Sequence, residues 1–121
     1  MGKILVIDDE ENIREILKEM LEIDGHFVYV ARNGKEGVAA TKQDKFDLVI
    51  TDIFMPEEDG IEIIMKMKMN IPDIKIIAIS GGGYFDAAGS LKTAQLLGAK
   101  YTISKPFDMR ELLSKVNSLI Y

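Results

Sequence analysis

Four groups able to do chemistry lie far apart along this 121-residue chain: the acid pair Asp8-Asp9, the lone acid Asp52, the hydroxyl of Ser80 and the ammonium of Lys105. Each closes a short run of strand-like residues. Ile4-Leu5-Val6-Ile7 leads into Asp8-Asp9-Glu10, and Leu48-Val49-Ile50 into Thr51-Asp52. Ile74 to Ile79 leads into Ser80, and Tyr101-Thr102-Ile103-Ser104 into Lys105-Pro106. Apolar runs of this length, bounded by turn residues, suit buried strands. In a parallel sheet every strand C-terminus points to one rim, and open α/β sheets collect their ligands there. The four groups should therefore converge. Three carboxylates at one rim raise one another's pKa unless something neutralises them. A divalent cation with hard oxygen ligands is one such device. Magnesium suits it, being held by one or two carboxylates with phosphate oxygen and water. Lys105 is the other device. A carboxylate flanked by a metal, a lysine and a hydroxyl is equipped to receive a phosphoryl group, because each neighbour takes one oxygen of the transferring group.

The elements that must position these groups follow in order. After the first strand, Ile13, Ile16, Leu17, Met20 and Leu21 recur at helical spacing, and Asp24-Gly25 closes that helix. Phe27 to Ala31 is the second strand, Asn33-Gly34 a turn, and Lys35 to Lys42 a short helix weakened by Gly37. Phe46 to Thr51 is the third strand. Ile61 to Met69 follows, where Met65, Met67 and Met69 alternate with period two. A helix is still expected there, because one is needed between two buried runs. Met67 and Met69 then lie about 200° apart, so one face cannot bury both. Gly81-Gly82-Gly83 is a flexible loop, and Ala87 to Leu97 a thinly apolar helix. Asp108 with Glu111 resembles a capping box for a last helix carrying Met109, Leu112, Leu113, Val116 and Ile120. Five strands alternating with five helices make an α/β fold, a parallel sheet covered on both faces.

Length and composition narrow the function. One domain of ordinary size is expected over residues 1–121. A net charge of −5 disfavours nucleic acid and anionic membrane surfaces as partners. The absence of cysteine excludes disulfides and thiolate metal sites. The first apolar run stops at Asp8, too short for a signal peptide or a membrane span. A cytoplasmic protein is expected.

Taken together, Val6-Ile7-Asp8-Asp9-Glu10, Asp52 with Met55-Pro56 and Gly60, Ser80, and Lys105-Pro106-Phe107 resemble the receiver domain of two-component response regulators. The resemblance runs the whole length of the chain. It implies a flavodoxin-like, doubly wound (βα)5 sheet of strand order 2-1-3-4-5 and a stand-alone receiver. It implies Asp52 as phosphoacceptor and Mg2+ held by Asp8, Asp9, Asp52 and the Phe54 backbone carbonyl, with Asp9 the more direct ligand of the acid pair. Ser80 would follow the phosphoryl group, Lys105 would pair with it, and Pro106 would follow a cis peptide bond. The implied partners are a histidine kinase or phosphotransfer protein and a downstream protein. The latter would dock on the face of the fourth helix, fifth strand and fifth helix of a monomer or weak, phosphorylation-dependent dimer. Such a chain catalyses its own phosphorylation and dephosphorylation but turns over no separate substrate. Two features depart from the family. The usual switch aromatic is replaced by Thr102, with Tyr101 one residue earlier. The Gly-rich loop after Ser80 is also longer than usual. The switch is therefore assigned to that loop, Gly81 and Gly82 included, with Thr102 and Tyr101 beside it.

Each group alone has a plainer reading. Asp8-Asp9 could cap a helix, Lys105 could be a solvated lysine, and Ser80 could simply end a strand. His26, after a glycine and without a metal-spaced partner, reads as a surface residue. An aspartyl-phosphate phosphohydrolase would carry a second acid two residues after its nucleophile, where this chain has Phe54. A flavodoxin-like cofactor binder would want Ser, Thr and Gly where this chain has Asp-Asp-Glu. A degenerate receiver acting only as a binding module would lack some acceptor-site residue, and none is missing.

Overall fold

The computed structural model describes residues 2–55, 58–80 and 98–120. Among these, five parallel strands form one sheet: β1 Lys3–Ile7, β2 Phe27–Ala31, β3 Leu48–Asp52, β4 Lys75–Ser80 and β5 Tyr101–Ser104, in the order β2-β1-β3-β4-β5. Four helices are described: α1 Glu11–Ile23, α2 Gly34–Gln43, α3 Gly60–Asn70 and α4 Met109–Ile120. A two-residue antiparallel ribbon pairs Phe54–Met55 with Glu58–Asp59 between β3 and α3. The expected Ala87–Leu97 helix and the loop holding Gly81 and Gly82 lie outside the described residues.

The order follows from the burial of the runs. Ile4 to Ile7 and Leu48 to Asp52 are buried throughout, as central parallel strands must be. Alternation of side chains sends Leu5, Ile7, Val49, Ile76 and Ala78 to one face, where Ile63, Ile64 and Met67 of α3 meet them. Ile4, Val6, Leu48, Ile50, Ile77 and Ile79 face the other way, onto Leu17 and Leu21 of α1 and Leu112 and Val116 of α4. The period-two methionines are helical: Met67 is buried while Met65 and Met69 are exposed. Burial on one helical face decides this, and local alternation does not.

Two local expectations are corrected, and a third is extended. His26 is buried, not at the surface. Its Nδ1 accepts the Gly2 N–H at 3.0 Å, and its Nε2 faces Asn117 Oδ1 at 3.1 Å, so it joins the N-terminus to α4. The reciprocal capping box does not form. Asp108 Oδ1 accepts the Arg110 N–H at 2.8 Å, while Glu111 accepts from Lys115, one turn on, at 2.8 Å. Gly37 is a packing requirement as well as a weak helix former, for a Cβ there would sit 2.2 Å from Ile7 Cδ1.

Candidate functional site

The acids occupy the C-terminal rim as the strand endings require. Asp52 is the last residue of β3 and only 2% exposed; Asp8 follows β1 and is 1% exposed. Register holds these endings level. Asp52 pairs with Ile79, one residue before Ser80, and Ser80 pairs with Ser104, one residue before Lys105. Ser80 is fully buried. The Lys105 N–H donates to Ser80 O at 2.8 Å, which fastens the loop after β5 to β4, and the Lys105–Pro106 peptide is cis. Beyond Asp52, the Ile53 N–H extends the ladder to Ile79 O at 2.9 Å. The chain then turns through the ribbon into α3. Asp59 caps that helix, its Oδ1 accepting the Ile61 N–H at 3.0 Å. A Cβ on Gly60 would stand 2.5 Å from the Ile53 backbone. Only glycine lets α3 begin so close to the strand that carries Asp52.

The electrostatics centre on one ammonium. Lys105 Nζ donates to Asp8 Oδ2 and to Asp52 Oδ2, each at 2.9 Å, and lies 3.5 Å from Glu10 Oε2. Burial opposes the charge of Lys105, but the hydrogen bonds to Asp8 and Asp52 outweigh it and hold the ammonium above its ordinary value. Asp8 does not shift the opposite way, as one member of a simple ion pair would. Burial pushes its carboxyl up, and neither Lys105 nor the Glu10 N–H at 2.9 Å offsets that. One shared cation is too little for two buried acids.

That deficit is a test of fit for a metal. Carboxylate oxygens of Asp8, Asp9 and Asp52 all lie within 4.8 Å of one another, and Asp9 is exposed. A set of hard, anionic oxygens, under-neutralised and open to solvent on one side, fits Mg2+, which keeps several waters.

Of the residues singled out from sequence, Asp8, Asp9, Asp52, Ser80 and Lys105 share this rim. Phe54 lies two residues beyond Asp52 in the ribbon. Thr102 and Tyr101 lie on β5 with side chains on opposite faces. Tyr101 packs on the α1–α4 side, its hydroxyl 3.2 Å from Ser118 Oγ and its ring 5.5 Å from Lys115 Nζ. Sequence reasoning missed Glu10 as a neighbour of Lys105 and Arg14, whose Nη1 donates to Asp8 O at 2.8 Å. An acid beside an acid pair was the available sign for the first. The second depends on how α1 leaves β1, which spacing does not show.

The chain matches the model of the response regulator receiver domain over residues 4–117. It belongs to that family. Sporulation initiation phosphotransferase F of Bacillus subtilis (strain 168) is 32% identical over 118 residues, covering 98% of this receiver domain and 93% of its own length. The transcriptional regulatory protein CpxR of Klebsiella pneumoniae is 31% identical over 120 residues, which are 99% of this chain but 50% of CpxR. The chain thus spans about half the length of such transcriptional regulators. Among solved structures, the response regulator TrrA of Thermotoga maritima, in complex with Mg2+-BeF, aligns with a TM-score of 0.84 and 37% identity over 98% of this chain and 99% of TrrA. A receiver domain from Clostridium thermocellum aligns with a TM-score of 0.90 and 34% identity over 99% of this chain and 94% of its own. The receiver domain therefore serves two-component phosphorelay signalling, in which receivers meet histidine kinases or phosphotransfer proteins and downstream effectors. Among the described residues no helix is long and apolar enough to cross a membrane.

Proposed function

We propose that Asp52 is the phosphoacceptor of a Mg2+-dependent phosphorelay step. The observation that carries this is the Asp52 carboxylate, buried at the sheet rim with Lys105 Nζ at 2.9 Å and two further acids around it. Asp8, Asp9, Asp52 and the Phe54 carbonyl would hold Mg2+, with Asp9 the more direct ligand of the acid pair, since Asp8 is already engaged by Lys105 and by the Glu10 N–H. Bound there, Mg2+ supplies positive charge to a phosphoryl oxygen during transfer. Asp52 attacks phosphorus with a carboxylate oxygen while the bond from phosphorus to the donor's imidazole nitrogen breaks, and the imidazole leaves with that electron pair. Lys105 holds that carboxylate in place beforehand, then donates to a phosphoryl oxygen in a charge-assisted contact. Ser80, one register step from Asp52 on the next strand, donates its hydroxyl to another.

In this reading residues 1–121 form a single receiver unit that catalyses its own phosphorylation and hydrolysis and turns over no separate substrate. The donor is a histidine kinase or phosphotransfer protein. The chain works in the cytoplasm, and its output is a protein partner docking on the face of the expected Ala87–Leu97 helix, β5 and α4, with no nucleic-acid contact, on a monomer or weak phosphorylation-dependent dimer. The loop at Gly81 and Gly82 and the helix expected after it, with Thr102 and Tyr101 beside them, are the switch, because a ligand shifts only what it contacts differentially. Intact-mass measurement after acetyl phosphate treatment tests the acceptor. One phosphoryl group is expected with Mg2+, and none in Asp52→Asn or in excess chelator. A label that survives in Asp52→Asn overturns the assignment.

A further inference from the structure

Glu10 sits where a helix cap belongs but does not act as one. It is the residue before α1, with extended backbone (φ −90°, ψ 116°), and its side chain makes no capping hydrogen bond. That position ordinarily favours Ser, Thr, Asp or Asn because their short side chains reach the free N–H groups of the first turn. The Glu10 carboxylate turns instead to the acid rim, 3.5 Å from Lys105 Nζ, and stays 60% exposed. Its own backbone N–H is taken by Asp8 Oδ1 at 2.9 Å. The third side of the Lys105 ammonium, beyond its bonds to Asp8 and Asp52, therefore faces a solvent-accessible carboxylate.

We infer that Glu10 is a specificity-determining residue for the charge of the phosphodonor. This rests on the reading of Asp52 as a Mg2+-dependent acceptor. During transfer from acetyl phosphate, a bond forms between an Asp52 carboxylate oxygen and phosphorus. The bond from phosphorus to the acetyl oxygen breaks, and acetate leaves with that electron pair. The donor arrives as an anion, and Glu10 is a fixed negative charge at its entrance. The same charge attracts a divalent cation. Glu10 must therefore act in opposite senses on the two ligands of one site: it tightens Mg2+ and hinders anionic donors. A residue that mattered only for folding would move both the same way. Because Glu10 is exposed and makes no cap, its replacement leaves α1 its other starting contacts, including Arg14 N–H to Glu10 O at 3.1 Å, which uses only the backbone.

The test uses the full chain. Calorimetric Mg2+ titration without donor is compared with labelling rates at saturating Mg2+, using acetyl phosphate and the less negatively charged phosphoramidate. A unit charge acting over several ångströms in a solvent-exposed rim is worth roughly a three- to tenfold effect. Glu10→Gln should weaken Mg2+ by about that factor. It should quicken acetyl phosphate labelling by a similar one and change phosphoramidate labelling less. Glu10→Lys should extend both trends, Glu10→Asp should stay near wild type, and added salt should shrink the differences. The inference is overturned if Mg2+ affinity and labelling rate move together, if neither moves, or if Glu10→Asp behaves like Glu10→Gln. Asp52→Asn runs alongside: label retained there defeats the acceptor reading, whatever Glu10 does.

Discussion

Two lysines, at opposite ends of the sheet, are each held by acids, and they do different things. Lys105 at the C-terminal rim lies between Asp8 and Asp52, which are almost wholly buried. Lys3 at the N-terminal rim reaches Asp44 at 2.5 Å, but both side chains are about a third exposed to water. Lys3 also lies over the rings of Tyr29 and Phe46, at 5.2 and 5.8 Å, and its backbone N–H donates to Asp47 Oδ2 at 2.8 Å. At the wet end the shifts are complementary: the hydrogen bond with Lys3 pulls Asp44 down, and the same bond raises Lys3. At the dry end both Lys105 and Asp8 are raised. The lesson is that charge pairing and charge balance differ. The exposed pair is content and inert. The buried cluster is short of positive charge, and that shortage favours a cation beside it.

The largest effect should come from removing the buried cation. Lys105→Ala leaves Asp8 and Asp52 without the ammonium they share, and truncating one partner of a buried ion pair costs about 3 kcal/mol or more. Urea unfolding should show that loss in the metal-free protein, and millimolar Mg2+ should restore part of it. A variant as stable as wild type without Mg2+ would mean that the rim is not electrostatically strained.

Next in size is the frame around Asp52. A methyl group at Gly60 meets the backbone of Ile53, whereas one at Gly37 meets Cδ1 and Cγ1 of the Ile7 side chain and no backbone. Gly60→Ala should cost about 2 kcal/mol by overpacking and slow labelling of Asp52. Gly37→Ala should leave labelling unchanged. Equal effects on labelling would show that the Ile53–Gly60 contact does not position the acceptor.

A smaller effect of the opposite sign should come from Asp8→Asn. It removes a buried charge whose desolvation exceeds its pairing, and leaves Lys105 to Asp52. The metal-free protein should gain on the order of 1 kcal/mol, while its Mg2+ affinity falls. The wild type carries the matching pH signature. Because the folded-state pKa of Asp8 is raised, its contribution to stability is greatest below the ordinary carboxylate value and is lost as pH rises through the higher folded value. The stability difference between wild type and Asp8→Asn should therefore widen with rising pH in the absence of metal. A loss of metal-free stability in Asp8→Asn would contradict the charge deficit.

The site was more legible in the sequence than its surroundings were, for a physical reason. Asp8-Asp9, Asp52, Ser80 and Lys105 announce themselves because a buried strand must be apolar and its mouth need not be, so a polar residue ending an apolar run marks the rim. The parallel sheet then brings the endings together without further information. Strand order followed from the family resemblance. Contacts that span the chain sideways left no such mark. His26 bonds across 24 residues to Gly2 and 91 to Asn117, so reading its neighbours as a loop misplaced it. Asp108 and Glu111 have capping-box spacing, but Lys115 one turn on is the stronger partner for Glu111. Gly37 and Gly60 look alike in sequence, and only the packed structure shows that one meets a side chain and the other a backbone.

The smallest predicted effect is at the wet end. Asp44→Asn removes the carboxylate facing Lys3, but Lys3 keeps its two aromatic rings, and water replaces the lost charge at little cost. Exposed pairs of this kind contribute little that can be measured, so the urea midpoint at neutral pH should barely move. What change there is should vanish in high salt, since the pair is open to screening. The pH dependence has the opposite sign to that of Asp8. The folded-state pKa of Asp44 is lowered, so its contribution is present above the ordinary carboxylate value and disappears as pH falls through the lower folded value. Wild type and Asp44→Asn should then converge in acid, where wild type and Asp8→Asn also converge, and differ only slightly at neutral pH, where the Asp8 pair differs most. Matched urea titrations of these three proteins and of Lys105→Ala across acid and neutral pH, without metal, decide the matter. If Asp44→Asn destabilises the chain as much as Lys105→Ala does, burial is not what separates the two lysines.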